Sequence, residues 1–437
     1  LLGYINNQAK MKIKPIVLLA LCVLIAQQLT AQQPLPILKT NSNVVSIRDG
    51  KNYRKNTWKL TPQAKLDIYY TGLPQKEGKV TFISDIDSIS FNVKYGKTYD
   101  FIVLLNNKDT CYTRISANYD GINSPIKIKK QTNSSDTIPF TLHNSRIYLN
   151  GQVNGKKNLS FQLDLGAGAT CINYKSVAKA GIKFDGKTLV TNSHGTNEEP
   201  TSNKNAISIA GLRWEDVPMV QVKNMNNDED VIIGNSLFAD KIIELNYDLK
   251  ILIVHDQLPN ITNGYTKHDV IFEQHRPSIQ ATIHVNGKDY TDWFLFDTGR
   301  AGTMVIGKSF VTKFGLWDKF KTILSLGDKK IVVIPKTTIG KLSFTDIVTN
   351  AQSPKSNSER PTLLGNELLN HFNVVLDNVN GIIYLKPNSL QKKNYADLNE
   401  LKATALYLFI GTLLLIAALV ICIRKWVKYW KASKTKK

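Results

Sequence analysis

Two aspartates, Asp164 and Asp297, each close an apolar segment, and each is followed two positions later by a glycine. The first segment reads Phe161-Gln162-Leu163-Asp164-Leu165-Gly166 and the second Phe294-Leu295-Phe296-Asp297-Thr298-Gly299. Two carboxyls held about 3 Å apart cannot both ionise cheaply, so a single shared proton makes one of them an acid and the other a base. Such a pair can deprotonate a water on one side while protonating a carbonyl oxygen on the other, with neither metal nor covalent intermediate. The chemistry needs each aspartate on a sharp turn, which Gly166 and Gly299 permit. One Asp-x-Gly alone is an ordinary turn signal. The pair gains its weight from surroundings that repeat in step.

That repeat fixes the elements that must carry the aspartates. An Asn-Gly turn precedes each, ten residues from Asn154 to Asp164 and eleven from Asn286 to Asp297. Gly195 and Gly327 lie about thirty residues beyond them, between alternating apolar and polar residues, as hairpin tips would. Ile232-Ile233-Gly234 and Leu363-Leu364-Gly365 follow, their glycines seventy and sixty-eight residues past the aspartates. Twelve positions beyond each glycine comes a matching turn, ahead of the apolar strands 251–254 and 382–385. Landmarks in one order and one spacing predict two duplicated lobes of about 125 residues, at 138–262 and 263–395.

Composition agrees with a large folded chain. Its 437 residues are 42% hydrophobic, enough for several cores. Lys and Arg outnumber Asp and Glu by 56 to 35, a formal charge of +21, and seven of those cations crowd into the basic segment 424–437. No reader motif or clustered basic helix accompanies the charge, so the expectation is no nucleic-acid partner. His and Cys spacings for a metal site are absent, and neither a metal nor another cofactor is expected.

The ends point to a membrane. Residues 1–31 read as an upstream extension plus a secretory signal that opens at Met11, with Lys12 and Lys14 before the eleven-residue apolar run 16–26. Residues 403–423 form a stretch of twenty-one without a charge, long enough for one transmembrane helix. The flank Arg424-Lys425-Trp426 and onward predicts a cytoplasmic tail, leaving the preceding domains outside the cytoplasm at the cell membrane.

Between signal and first lobe, 42–118 reads as a small all-β, sandwich-like domain with strands near 78–93, 99–105 and 110–115. Its Asp85 and Asp87 lack the rest of a calcium loop. Asn118 to Asp136 reads as a polar linker. Of the exported cysteines, Cys111 and Cys171, an oxidising compartment permits a bridge, but two buried free thiols are the simpler reading.

On these residues the repeat resembles the aspartic proteases of the retropepsin/pepsin kind, with both lobes in one chain and of a membrane-anchored, bacterial type. Asp297-Thr298-Gly299 matches the family's Asp-Thr-Gly motif, and the two apolar-apolar-Gly strands resemble those that pass behind its active-site loops. The resemblance covers about residues 138–390 and implies a mainly β fold of two pseudo-symmetric lobes. It implies Asp164 and Asp297 as the catalytic pair, Leu165, Gly166, Thr298 and Gly299 as the loop around them, and flaps at Gly195 and Gly327 that close over an extended polypeptide.

Two departures stand out. In the family, the threonine after each aspartate grips the backbone of the other lobe; Leu165 cannot, so only Thr298 retains its half. Arg300 follows Gly299 where a small residue is usual, and is expected to point to solvent, with Ala301 or Gly302 taking the small position through a one-residue bulge. The sequence therefore supports an extracytoplasmic aspartic endopeptidase, or alternatively a catalytically silent peptide-binding or sensory protein that retains the fold. Oligomeric state and substrate preference are not legible.

Overall fold

The computed structural model describes residues 34–72, 77–118, 126, 128–130, 137–192, 195–260, 264–357, 360–399, 401, 410–412, 415–416 and 418–425. The expected signal, 1–31, lies outside them, as do most of the expected linker, much of 403–423, and 426–437. No helix among the described residues is long and apolar enough to cross a membrane.

Eight strands between Ile37 and Ser116 form two four-stranded sheets that face each other over one apolar core. Phe82 and Phe101 pack edge to face at its centre, with Tyr69 and Trp58 around them. The first strand, Ile37–Thr40, starts ahead of residue 42: Leu38 alternates into the core, and the strand pairs in parallel with Thr98–Leu105. Asp85 and Asp87 accept hydrogen bonds from Thr40, Asn41, Ser88 and Lys39, which turn the chain between strands. The expected linker also holds a strand, Ile128–Lys130, paired with Leu212–Val222, while Ile126 is buried. Two isoleucines in register were enough to dock a polar segment.

From Thr137 to Pro387 every landmark of the repeat becomes a strand or turn. The hairpins Arg146–Val153 with Lys156–Leu163, and Arg276–Val285 with Lys288–Asp297, deliver the aspartates. Their tips, Asn154-Gly155 and Asn286-Gly287, have positive φ at all four residues, the turn whose twist suits a two-residue hairpin. Each acidic strand then pairs in parallel with an apolar-apolar-Gly strand: Leu163 sits beside Ile233, and Phe296 beside Leu364. The long hairpins 186–209 and 321–339 follow in both lobes, and each returns to pair with the first strand of its lobe's acidic hairpin.

The halves join through a sheet whose order is Thr137–Pro139, Ile251–His255, Ile242–Asn246, Phe372–Asp377, Ile382–Pro387 and Thr266–Glu273. Its centre marks the symmetry axis. Glu244 pairs with Val375, 131 residues on, the same offset that separates Gly234 from Gly365. Burial is continuous from one lobe to the other through this sheet.

Candidate functional site

Two parallel strand pairings aim both acidic turns at the symmetry axis, and the carboxyls of Asp164 and Asp297 hydrogen-bond each other there. The glycines are what allow this closeness. A Cβ on Gly166 would lie 2.8 Å from Asp297 Cγ and 3.1 Å from Asp164 Oδ1, and one on Gly299 would collide with the Asp164 carboxyl. Both aspartates are half-buried: enclosed enough to be poorly hydrated, yet with surface open to solvent.

That setting separates their acidities. Burial first, then the charge of Asp297, pushes Asp164 well above the usual carboxylate range. Burial also raises Asp297, but the Arg300 amide, the Arg300 charge and a hydrogen bond from Asp164 all oppose the rise. The Arg300 amide donates to Asp297 Oδ1 at 2.9 Å, and the Gly166 amide to Asp164 Oδ1 at 2.8 Å. Both carboxyls are thus pushed up, so the two together retain a proton, and the apparent values belong to the pair. Cys171 lies near enough that burial and then Asp164 push its thiol up to about 12. Cys111 lies in the separate amino-terminal core.

Thr298 makes its half of the grip. Its fully buried hydroxyl accepts from Leu165 N and donates to Leu163 O, both at 2.9 Å. Leu165 packs into the continuous core and returns nothing. The return contacts come from elsewhere: Gln162 Nε2 and Arg146 Nε both donate to Gly299 O, at 2.9 and 2.8 Å. Sequence reading passed over these two residues. A glutamine between Phe161 and Leu163, on a strand whose end is buried, was the available signal, since a buried amide needs a partner.

A second missed pair lies behind the loops. Asn235 and Asn366 directly follow the two glycines, and each reaches into the other lobe. Asn235 Nδ2 donates to His275 O at 2.8 Å and to Asn378 Oδ1 at 2.7 Å. Asn366 Nδ2 donates to Ser145 O, and its Oδ1 accepts from Tyr247 OH at 2.7 Å. Tyr247 and Asn378 again stand 131 residues apart, so the clasp obeys the pseudo-symmetry.

Arg300 departs from expectation. Its side chain is half-buried and folds back along its own loop, with Cγ 3.2 Å from where a Cβ on Gly365 would stand. The loop is indeed longer by one residue. Counting from each aspartate, the residue paired with Ile232 is the seventh, Cys171, whereas the one paired with Leu363 is the eighth, Val305.

Gly327 sits at a hairpin tip with positive φ, just past a strand, Lys321–Leu326, that is exposed along its whole length. Gly195 pairs with Asn192 at the matching tip, while Ser193 and His194 lie outside the described residues. Among the described residues no group of His, Cys, Asp and Glu could hold a metal ion.

Residues 149–237, which include the first acidic turn and its partner glycine, match the family described as Aspartyl protease. No curated protein matches the chain. Among solved structures it is similar to the aspartic proteinase from Irpex lacteus, at 12% identity and a TM-score of 0.42, over 59% of this chain and 98% of that one; a likeness so loose carries no weight. The family match, the strand-for-strand duplication and the facing carboxyls together give this chain an aspartic-protease-like fold.

Proposed function

We propose that the protein is an aspartic endopeptidase that hydrolyses extended polypeptide with a water activated between Asp164 and Asp297. The observation that carries this reading is the hydrogen-bonded contact of two half-buried carboxyls, one from each duplicated lobe. Ionised Asp297 takes a proton from the water as its oxygen adds to the peptide carbonyl, and Asp164 gives its proton to the carbonyl oxygen. Breakdown of the resulting gem-diol sends a proton to the departing nitrogen and returns the pair to one shared proton. Gly195 and Gly327 would cap hairpins that close over the substrate.

The uncharged run 403–423 and the basic segment after it support a tether to the membrane, with the lobes outside the cytoplasm. The helical pieces described within that run, such as Leu415 and Leu419, expose their apolar side chains, which is consistent with a lipid surrounding. Arg300 beside Asp297 favours one other reading, a protein that holds peptide without turnover, because a cation there draws the pair toward full ionisation.

Full-length protein in detergent, given a denatured peptide mixture at mildly acidic pH, is expected to yield new termini by mass spectrometry. Asp297→Asn should reduce the rate by about 10²–10⁴-fold, the usual contribution of a positioned acid–base group. Cleavage that survives this change removes the mechanism. Absence of turnover with retained binding of a statine-type transition-state mimic selects the second reading.

A further inference from the structure

Arg300 carries more charge to this place than the dyad can use. Its Nε is buried without a hydrogen-bond partner, and a Cβ on Gly302 would lie 3.5 Å from its Nη2, so the Nε edge of the half-buried guanidinium is laid along the loop and out of water. Two more guanidiniums, Arg360 and Arg146, act on it with like charge, while Asp297 and Glu367 supply the opposing charge. Both of those anions have other work. Asp297 belongs to the dyad, and Glu367 Oε1 accepts from Ala396 N at 3.0 Å. Arg146 directs its Nε to Gly299 O. Because the Arg300 amide itself donates to Asp297, this cluster begins at the edge of the dyad.

Withdrawing a guanidinium from water is unfavourable unless an anion meets it, and arginine's planar fork matches a carboxylate in bidentate fashion. We infer that Arg300, with Arg146 and Arg360 around it, is a recognition site for a substrate carboxylate, so that the preferred peptides are acidic close to the scissile bond or end there in a free carboxyl terminus. This rests on the peptidase reading and deepens it by naming the substrate class. The dyad provides the chemistry and the arginines select the register.

The test uses full-length protein in detergent at about pH 6, where a free glutamate, with its ordinary pKa of about 4.3, is ionised. One peptide series places Glu or Gln at successive positions on either side of the cleaved bond; a second ends in an acid or an amide. A matching pair of non-cleavable statine-type peptides, Glu against Gln, reads binding without turnover. Wild type is expected to favour the carboxylate at one position by about tenfold or more in kcat/KM and in affinity, consistent with a site built around a charged hydrogen bond. Arg300→Gln should shrink that ratio to about threefold or less, and Arg360→Gln should shrink it in part, which covers the case where Arg300→Gln does not fold. Preference only in the second series assigns the site to a carboxyl terminus. Turnover without any Glu/Gln or acid/amide preference overturns the inference and leaves the peptidase reading intact. Binding preference without turnover supports the inference and removes the peptidase reading.

Discussion

The two acidic loops share one plan and differ in what each gives the other. The loop after Asp297 contributes a hydroxyl, Thr298, that reaches across to Leu163 and Leu165. Its counterpart after Asp164 offers buried Leu165, which packs and makes no reach, and the lobe answers instead with Gln162 and Arg146 on Gly299 O. The duplication has therefore kept the cross-lobe connection while moving one side of it from the loop to neighbouring strand positions. A hydrogen bond is worth about 0.5–1.5 kcal/mol net, and one from a charged donor about 1.5–3, so two such donors are a sufficient replacement for one threonine. Asymmetry in the scaffold is matched by asymmetry around the carboxyls: the Arg300 amide and charge oppose the rise of Asp297, and no cation among the described residues does the same for Asp164, which is pushed well above the usual range.

The sharpest way to break this comparison is to remove the half of the threonine grip that remains. Thr298→Val leaves Leu165 N and Leu163 O buried without partners, and should cost about 2–4 kcal/mol in denaturant unfolding. A loss below about 0.5 kcal/mol would mean that the loops are held by packing alone.

A smaller effect tests the charge asymmetry through stability. Asp164 has a folded-state pKa raised above its ordinary 3.8, so its contribution is fully present below that value and is lost as pH rises through the folded value. Asp164→Asn does not suffer that loss. The variant should gain on wild type from acid toward neutral pH, by a few degrees in Tm, since each pKa unit is about 1.4 kcal/mol and about 1 kcal/mol moves a large domain by about 2–4 °C. A Tm difference that does not change with pH would show that Asp164 titrates normally.

Gln162→Leu places in lobe one the residue type that lobe two has at Leu295, and leaves Arg146 as the donor to Gly299 O. It should lower stability by about 1 kcal/mol and kcat by no more than about tenfold. Leu165→Thr, the change that restores the symmetric motif, is expected to do least for turnover, because the return contact is already made and the new hydroxyl would enter an apolar core. A large rise in kcat would contradict the replacement of the missing grip by Gln162 and Arg146.

Much of this was legible because it is local. Asn154-Gly155 and Asn286-Gly287 need a particular turn, the strands alternate, and the aspartates sit at fixed distances from both. The half-grip of Thr298 followed from the resemblance of Asp297-Thr298-Gly299 to the aspartic-protease motif. What escaped was set by contacts between residues far apart in the chain. Gln162 meets Gly299 at a separation of 137 residues and Asn366 meets Ser145 at 221, and nothing in the neighbourhood of either asparagine or glutamine specifies such a partner. Arg300 was expected outside because charged side chains usually stay hydrated; the extra residue in its loop and the room above Gly302 and Gly365 let it fold inward instead. The strands Ile37–Thr40 and Ile128–Lys130 were too short and too polar to stand out, and they form because a sheet edge was there to receive them.

The central claim is that Asp164 and Asp297 hold one proton between them, and carbon-13 carboxyl shifts across pH report this directly. The account predicts that both resonances move together in shared steps, at least one of them above the ordinary 3.8, and that Asp297→Asn changes the titration of Asp164. Two independent single-step curves near that ordinary value, with Asp164 unaffected by Asp297→Asn, would contradict it.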